Sequence, residues 1–200
     1  MHLKVLFRAA LAITVLMAGS PAKAQSAVSR GPAVTDADIR FMQEMLGHHQ
    51  QAIEMTALVR ARSRRPDLQL LAERISVSQT DEMAQMRRWL KAQRVDTAAA
   101  MSHDMSAHAG HTMSRDSTPV MSGMLTSAQM DALRRAAGPR FDRLFLQGMI
   151  QHHGGALTMV KALLLVPGAA QESSINHFVT EVDADQRAEI ARMRRLLSRR

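Results

Sequence analysis

Apolar residues recur at three- and four-residue spacing through four long stretches of this chain, and the segments between them are polar or broken by proline and glycine. That period belongs to amphipathic helices. The first stretch follows Thr35-Asp-Ala-Asp38, a capping hydroxyl with acids in the first turn, and predicts a helix over about Asp36–Arg62. Arg65-Pro66-Asp67 breaks the pattern. Pro66 suits the first turn of a second helix, which carries Leu68, Leu71, Ile75, Met83, Met86, Trp89 and Leu90 and ends near Arg94. Residues 95–125 have no apolar period and predict a mobile linker. Thr126-Ser-Ala-Gln129 reads as a capping box for a short helix reaching about Ala137, where Gly138-Pro139 intervenes. A third long helix spans roughly Arg140–Val166 and is stopped by Pro167-Gly168; the fourth runs from about Gln171 to Ser198.

The first and third long helices share a motif. Phe41-Met-Gln-Glu-Met-Leu-Gly-His-His-Gln-Gln-Ala-Ile-Glu-Met55 recurs 104 positions later as Phe145-Leu-Gln-Gly-Met-Ile-Gln-His-His-Gly-Gly-Ala-Leu-Thr-Met159. Both copies keep Met-x-x-His-His-x(5)-Met. The second and fourth helices match at an offset of 107, through Gln79/Gln186, Glu82/Glu189, Met83/Ile190, Met86/Met193 and Trp89/Leu196. The repeat is therefore a helical hairpin present twice, with extra residues in the second turn. Neither hairpin can bury its apolar face alone, so the expected fold is all-α: one four-helix bundle made from residues 36–94 and 126–198, joined by a Met/His-rich linker over 95–125.

Ahead of the bundle, Lys4 and Arg8, the apolar run Ala9–Ala18 and the small-x-small site Ala22-Lys-Ala24 have the plan of a secretory signal, with cleavage expected after Ala24 and a flexible leader over 25–35. The expected location is the periplasm or another exported compartment. No later run is apolar enough to span a bilayer, and stable membrane insertion is not expected. The net charge is +8, and Lys4, Arg8 and Lys23 of the signal contribute three of it. The arginines between Arg192 and Arg200 read as a solvated helix end that suits the helix dipole. They lack the aromatic interleaving of a nucleic-acid surface, so no nucleic-acid partner is expected. The chain has no cysteine, which removes disulfides, thiolate metal sites and cysteine nucleophiles.

Methionine is abundant, at 16 residues, and much of it stands beside histidine. On a helix at about 100° per residue, Met42, Met45, His49 and Ile53 share one stripe and His48 sits beside Met45. The second copy places Met149, His152, His153 and Met159 in the same way, and Met55 ends the first. Thioether with imidazole is the ligand set of a soft ion: Cu(I), with Ag(I) as its mimic and Cu(II) as a further candidate. In the linker, His103, His108 and His111 alternate with Met101, Met105 and Met113, a compositional metal-binding signal of its own. Packing is the first role of Met83, Met86 and Met193, as it is of Met42 and Met130, although Met86 and Met193 are placed to add sulfurs from across each hairpin. His177 lies outside both repeats and reads as a surface residue.

A di-iron bundle needs Glu from two helices and Glu-x-x-His from the others. Here Met45 and Met149 stand three residues before His48 and His152, and Glu44 and Glu54 become Gly148 and Thr158, so that chemistry is not expected. A bundle with non-covalent haem held by His and Met, or another redox protein, and a structural, partner-binding helical module whose histidines are core polar groups, are the alternative readings. With no activated nucleophile and no paired-carboxylate signature, the chain is expected to be a binding protein and not an enzyme.

The duplicated Phe-hydrophobic-x-x-Met-hydrophobic-x-His-His-x-x-Ala-hydrophobic-x-Met motif, with Gln-x-x-Glu-hydrophobic-x-x-Met in the following helix, resembles the bacterial family called domain of unknown function 305. The resemblance covers nearly all of residues 36–198. It implies an exported, ferritin-like four-helix bundle, and some members are similar to periplasmic copper-binding proteins of copper resistance. It points to Met45, His48, His49, Met149, His152 and His153 as ligands. The implied partners are copper ions and a periplasmic copper transporter or chaperone. Gly47 and Gln50-Gln51, against Gln151 and Gly154-Gly155, show that the two copies need not form equivalent sites.

Overall fold

The computed structural model describes residues 32–95 and 121–198, and all regular structure in them is helical. The helices are α1 (Asp36–Arg62), α2 (Pro66–Ala92), α3 (Ser127–Arg135), α4 (Gly138–Leu164) and α5 (Ser173–Ser198). The signal expected over 1–24, most of the leader and residues 96–120 lie outside the described residues, and no described helix is long and apolar enough to cross a membrane.

Local chemistry sets the helix ends. Thr35 and Asp38 form a reciprocal capping box at α1: the Thr35 hydroxyl accepts from the Asp38 N–H, and the Asp38 carboxylate accepts from the Thr35 N–H at 2.8 Å. Thr126 and Gln129 do the same for α3. Pro66 and Pro139 sit in the first turns of α2 and α4, where a missing N–H leaves no bond unmade. The turn of the first hairpin is residues 63–65; that of the second is the longer 165–172, which accounts for the change in repeat offset.

The core shows how the hairpins combine. One buried cluster joins Met55 and Val59 of α1 and Leu68, Leu71 and Ile75 of α2 to Phe141, Phe145 and Met149 of α4 and Ile190 and Met193 of α5. The second cluster joins the repeat equivalents: Phe41, Met45, Met83, Met86, Val160, Leu163, Ile175, Phe178 and Val182. Each cluster thus takes the opening half of one hairpin and the closing half of the other, so the hairpins pack head to tail about an approximate two-fold axis. The two His-His pairs fall between the clusters, at the middle of α1 and α4.

Two places break the symmetry. Asp38, fully buried, also accepts the Ala170 N–H at 2.7 Å, which pins the second hairpin's turn to α1. Ala170 is held there at φ +54. Its equivalent partner site is missing: Asp142, the counterpart of Asp38, is 6% exposed and its Oδ1 has no hydrogen-bond partner. The shorter first turn offers it no matching N–H. The other break concerns the linker expected over 95–125. Its last five residues, Met121–Leu125, are packed across α1 and α4, with Leu125 buried in the core, because Gln51 and Gln151 bind their backbone.

Asp38 and Asp142 should therefore differ in urea unfolding although the repeat equates them. Asp38→Ala loses a cap and a buried charge-assisted bond, at about 2–4 kcal/mol. Asp142→Ala should cost less than about 1 kcal/mol, because removing a buried oxygen with no partner recovers part of the packing lost.

Candidate metal centre

His48 and His49 in α1 and His152 and His153 in α4 are all fully buried. Adjacent positions on a helix diverge by about 100°, so each pair splits. His48 and His152 turn towards the α1–α4 seam and face each other, with ring centroids 3.8 Å apart at 36°. His49 and His153 turn towards the partner helix of their own hairpin. His49 Nε2 meets Glu82 Oε2 of α2 at 2.6 Å, and His153 Nε2 meets Glu189 Oε2 of α5 at 2.5 Å.

Oxygen acceptors occupy all four Nε2 atoms. His152 donates to the backbone carbonyl of His48 at 2.9 Å, and His48 donates to the carbonyl of Ser122 at 3.0 Å. An imidazole that gives an N–H from Nε2 carries its lone pair on Nδ1 when neutral. All four Nδ1 atoms are buried and have no partner. Leaving one such acceptor unsatisfied costs about 1–3 kcal/mol, and native cores rarely do so four times in one place. Gln79 and its repeat counterpart Gln186 add further unpartnered buried amide atoms.

The electrostatics keep the central pair neutral. Burial, followed by the nearby His49, lowers the pKa of His48 to about 3, against a smaller opposing effect of the Ser122 carbonyl. Burial, then His48 and His153, hold His152 well below the ordinary imidazole value. Neutral imidazoles are the form that binds metal. Glu82 and Glu189 are the acceptors that orient the outer pair, an arrangement common behind metal-binding histidines. Ser78 donates to Glu82 at 3.0 Å. In the second hairpin Asp185 holds that place, and its pKa is raised by partial burial and then by the carboxylates of Glu82 and Glu189.

The methionines divide by location. Met45 and Met86 are buried in one core cluster and Met55, Met149 and Met193 in the other, flanking the histidines from both sides; Met159 is half-buried beside the first of these. Met42, Met83 and Met130 are buried in the core, and His177 is exposed and paired with Glu181 at 3.1 Å. His103, Met105, His108, His111 and Met113, with Met101, lie outside the described residues. Among the described residues, no three His, Asp or Glu side chains converge as a preformed metal cage. The nitrogen donors come in pairs, and sulfur is the remaining donor type near them.

The sequence reading did not include Glu82, Glu189 or the 121–125 segment in the site. The Gln-x-x-Glu repeat at offset 107 was the available signal for the carboxylates. The segment had a subtler one, because positions where the motif copies disagree are where it lands. Gln51 exchanges two hydrogen bonds with Leu125, at 3.0 and 2.7 Å. A Cβ at Gly155, the Gln51 counterpart, would overlap the Ser122 carbonyl. Gln151 donates to the Gly123 and Met124 carbonyls at 3.3 Å, while its counterpart Gly47 lies under Met121.

The pKa directions set a pH dependence for the metal-free protein. His48 and His152 titrate near 6.5 when unfolded but resist protonation when folded. The unfolded state then binds more protons as pH falls below 6.5, so stability is full above that value and is lost towards about 3. Each histidine contributes a slope of about 1.4 kcal/mol per pH unit in that window. Urea midpoints should drop between about pH 7.5 and about pH 5, and His48→Gln/His152→Gln should flatten the profile.

The family model described as domain of unknown function DUF305 matches residues 38–197, and the chain belongs to that family. No curated protein matches it. Among solved structures, a DUF305 fragment from Deinococcus radiodurans is 28% identical with a TM-score of 0.68, covering 84% of this chain and 100% of its own. A DUF305 protein from Streptomyces coelicolor is 26% identical with a TM-score of 0.65, over 81% of this chain and 92% of that one. CopM in a Cu(II)-bound form is 28% identical with a TM-score of 0.57, over 80% of this chain and 95% of that one. Its Ag-bound form is similar at 25% identity, 80% and 93% coverage and a TM-score of 0.51.

Proposed function

We propose that this DUF305 protein binds a soft metal ion as cargo, Cu(I) with Ag(I) as its analogue, through the paired imidazoles of a ferritin-like four-helix bundle. The observation that carries the reading is the set of four buried Nδ1 atoms without partners, each on a ring whose Nε2 is already engaged by oxygen. The cargo would be held by Nδ1 of His48 and His152 at the α1–α4 seam, with Nδ1 of His49 and of His153 as separate donors on the side of each hairpin's partner helix. Thioethers of Met45 and Met149, one turn back on the same helices, would complete the donor set, with Met55, Met86, Met159 and Met193 next in reach. The missing nitrogen–oxygen cage among the described residues suits this choice. Hard ions require several oxygen ligands, whereas Cu(I) accepts few donors and favours sulfur. The similarity to CopM, solved with Cu(II) and with Ag, supports the same class of ligand.

The role that fits is sequestration, tolerance or handover of copper in an exported compartment, with release to a transporter or chaperone, and without catalysis. A haem held between His48 and His152 fits poorly, because imidazoles with centroids 3.8 Å apart leave no room for a porphyrin between them.

Anaerobic Cu(I) titration against a chromophoric chelator tests this. Wild-type protein should strip copper from the chelator. His48→Ala/His49→Ala/His152→Ala/His153→Ala should lose at least about 100-fold in affinity, about 2.7 kcal/mol. Glu82→Gln/Glu189→Gln, which keeps every ligand, should lose about 10- to 100-fold. Far-UV circular dichroism checks that each variant stays helical. A wild type that leaves the copper on the chelator removes the reading.

A further inference from the structure

We propose that residues 121–125 form a displaceable cap that positions His48 and controls the entry of metal to the His48/His152 pair. The inference rests on the metal-binding reading for its cargo but on separate observations for its mechanism.

The first observation is the hydrogen bond of His48. Under the two-fold relation His48 would donate to the backbone of α4, as His152 donates to the backbone of α1. It donates instead to the Ser122 carbonyl, so the cap supplies the acceptor that leaves the His48 lone pair on Nδ1. The second is the way the repeat has diverged around the cap. Gln51 binds both the N–H and the carbonyl of Leu125, and Gly155 is the space that the Ser122 carbonyl fills. Gly123, at φ +77, crosses so close to Gly155 that a side chain on either would collide with the other's backbone. Gly148, in place of the first copy's Glu44, leaves room for the Leu125 side chain.

The third observation is how shallow the attachment is. Leu125 alone is buried; Met121, Gly123 and Met124 are half-buried and Ser122 is exposed. A short non-helical segment held by a few side-chain hydrogen bonds opens at lower free energy than the helices beneath it. The fourth is chemical. The cap carries Met121, whose methyl lies 3.4 Å from where a Cβ on Gly47 would stand, immediately before His48. Met121 and Met124 are therefore the first thioethers that a soft ion meets on this face. Among the described residues the other face has no such cover: Glu82 and Glu189, behind His49 and His153, are 13% and 17% exposed. Metal should load in two phases, with the slower one set by cap opening.

Two substitutions open the cap and leave the four histidines unchanged. Gln51→Ala removes both bonds to Leu125. Gly155→Ala favours helix α4 by its propensity but evicts the Ser122 carbonyl. Stopped-flow loading of the full chain with Ag(I) should show the slow phase accelerated at least about fivefold in both variants, as the loss of one to two hydrogen bonds implies. The fast phase should not change. Without metal, amide exchange should show Leu125 protected in wild type and exchanging freely in the variants. The 15N spectrum of His48 should show the Nε2–H tautomer in wild type and a mixture after Gly155→Ala. Equal slow phases in all three proteins, with Leu125 protection lost, overturn the cap alone. A wild type that takes up no Ag(I) at equilibrium overturns the metal reading and the gating with it. An unchanged His48 tautomer overturns the positioning role whether or not metal binds.

Discussion

Everything in this structure is arranged around the problem of burying four imidazoles between two apolar clusters. A buried polar atom without a partner is expensive, and a buried charge more so. The protein meets half of that demand. Each Nε2 finds an oxygen: two backbone carbonyls for the central pair and two carboxylates for the outer pair. Burial keeps the central rings neutral, and on a neutral ring a bonded Nε2–H leaves the lone pair on Nδ1. The core thus keeps four acceptors unmet, and a neutral imidazole with a free lone pair is in the form that can bind metal.

The duplicated hairpin explains why the site is built twice and also why it is not built identically. Head-to-tail packing brings the same residues to the same seam from both sides, so His48 meets His152 and each outer histidine meets the glutamate of its own hairpin. A short segment with no counterpart among the described residues then lies across one side of that seam. Its backbone cannot share space with a side chain at Gly155, and it needs an amide at position 51 to hold it. Sequence divergence between the copies follows that contact. Two halves with the same pair of histidines therefore differ in what covers them.

Much of this was legible in the residues. Capping boxes at Thr35 and Thr126, proline at Pro66, and apolar spacing placed α1 through α5 within a few residues of their observed ends, because helix signals are local. The His-His repeat marked four residues that are buried, as their place on or beside the stripe of Met45 and Met149 implied. The carboxylate partners were in view as a repeat but carried no visible role. A Glu on a polar helix face looks like any solvated charge until the hairpin's register sets it against a histidine.

What the sequence by itself determined is therefore the set of helices, their duplication and the kind of donor atoms they carry, all properties of spacing along one chain. Only the tertiary structure decided which nitrogen each imidazole offers, that His48 and His152 stand ring to ring, and that Met121–Leu125 close one side of the site. Those outcomes depend on contacts between residues as far apart as Gln51 and Leu125 or Ser122 and Gly155. Long-range contacts are set by how whole hairpins pack, and the segment Met121-Ser-Gly-Met-Leu125 is too short for an apolar period and gives no local signal of where that packing will seat it.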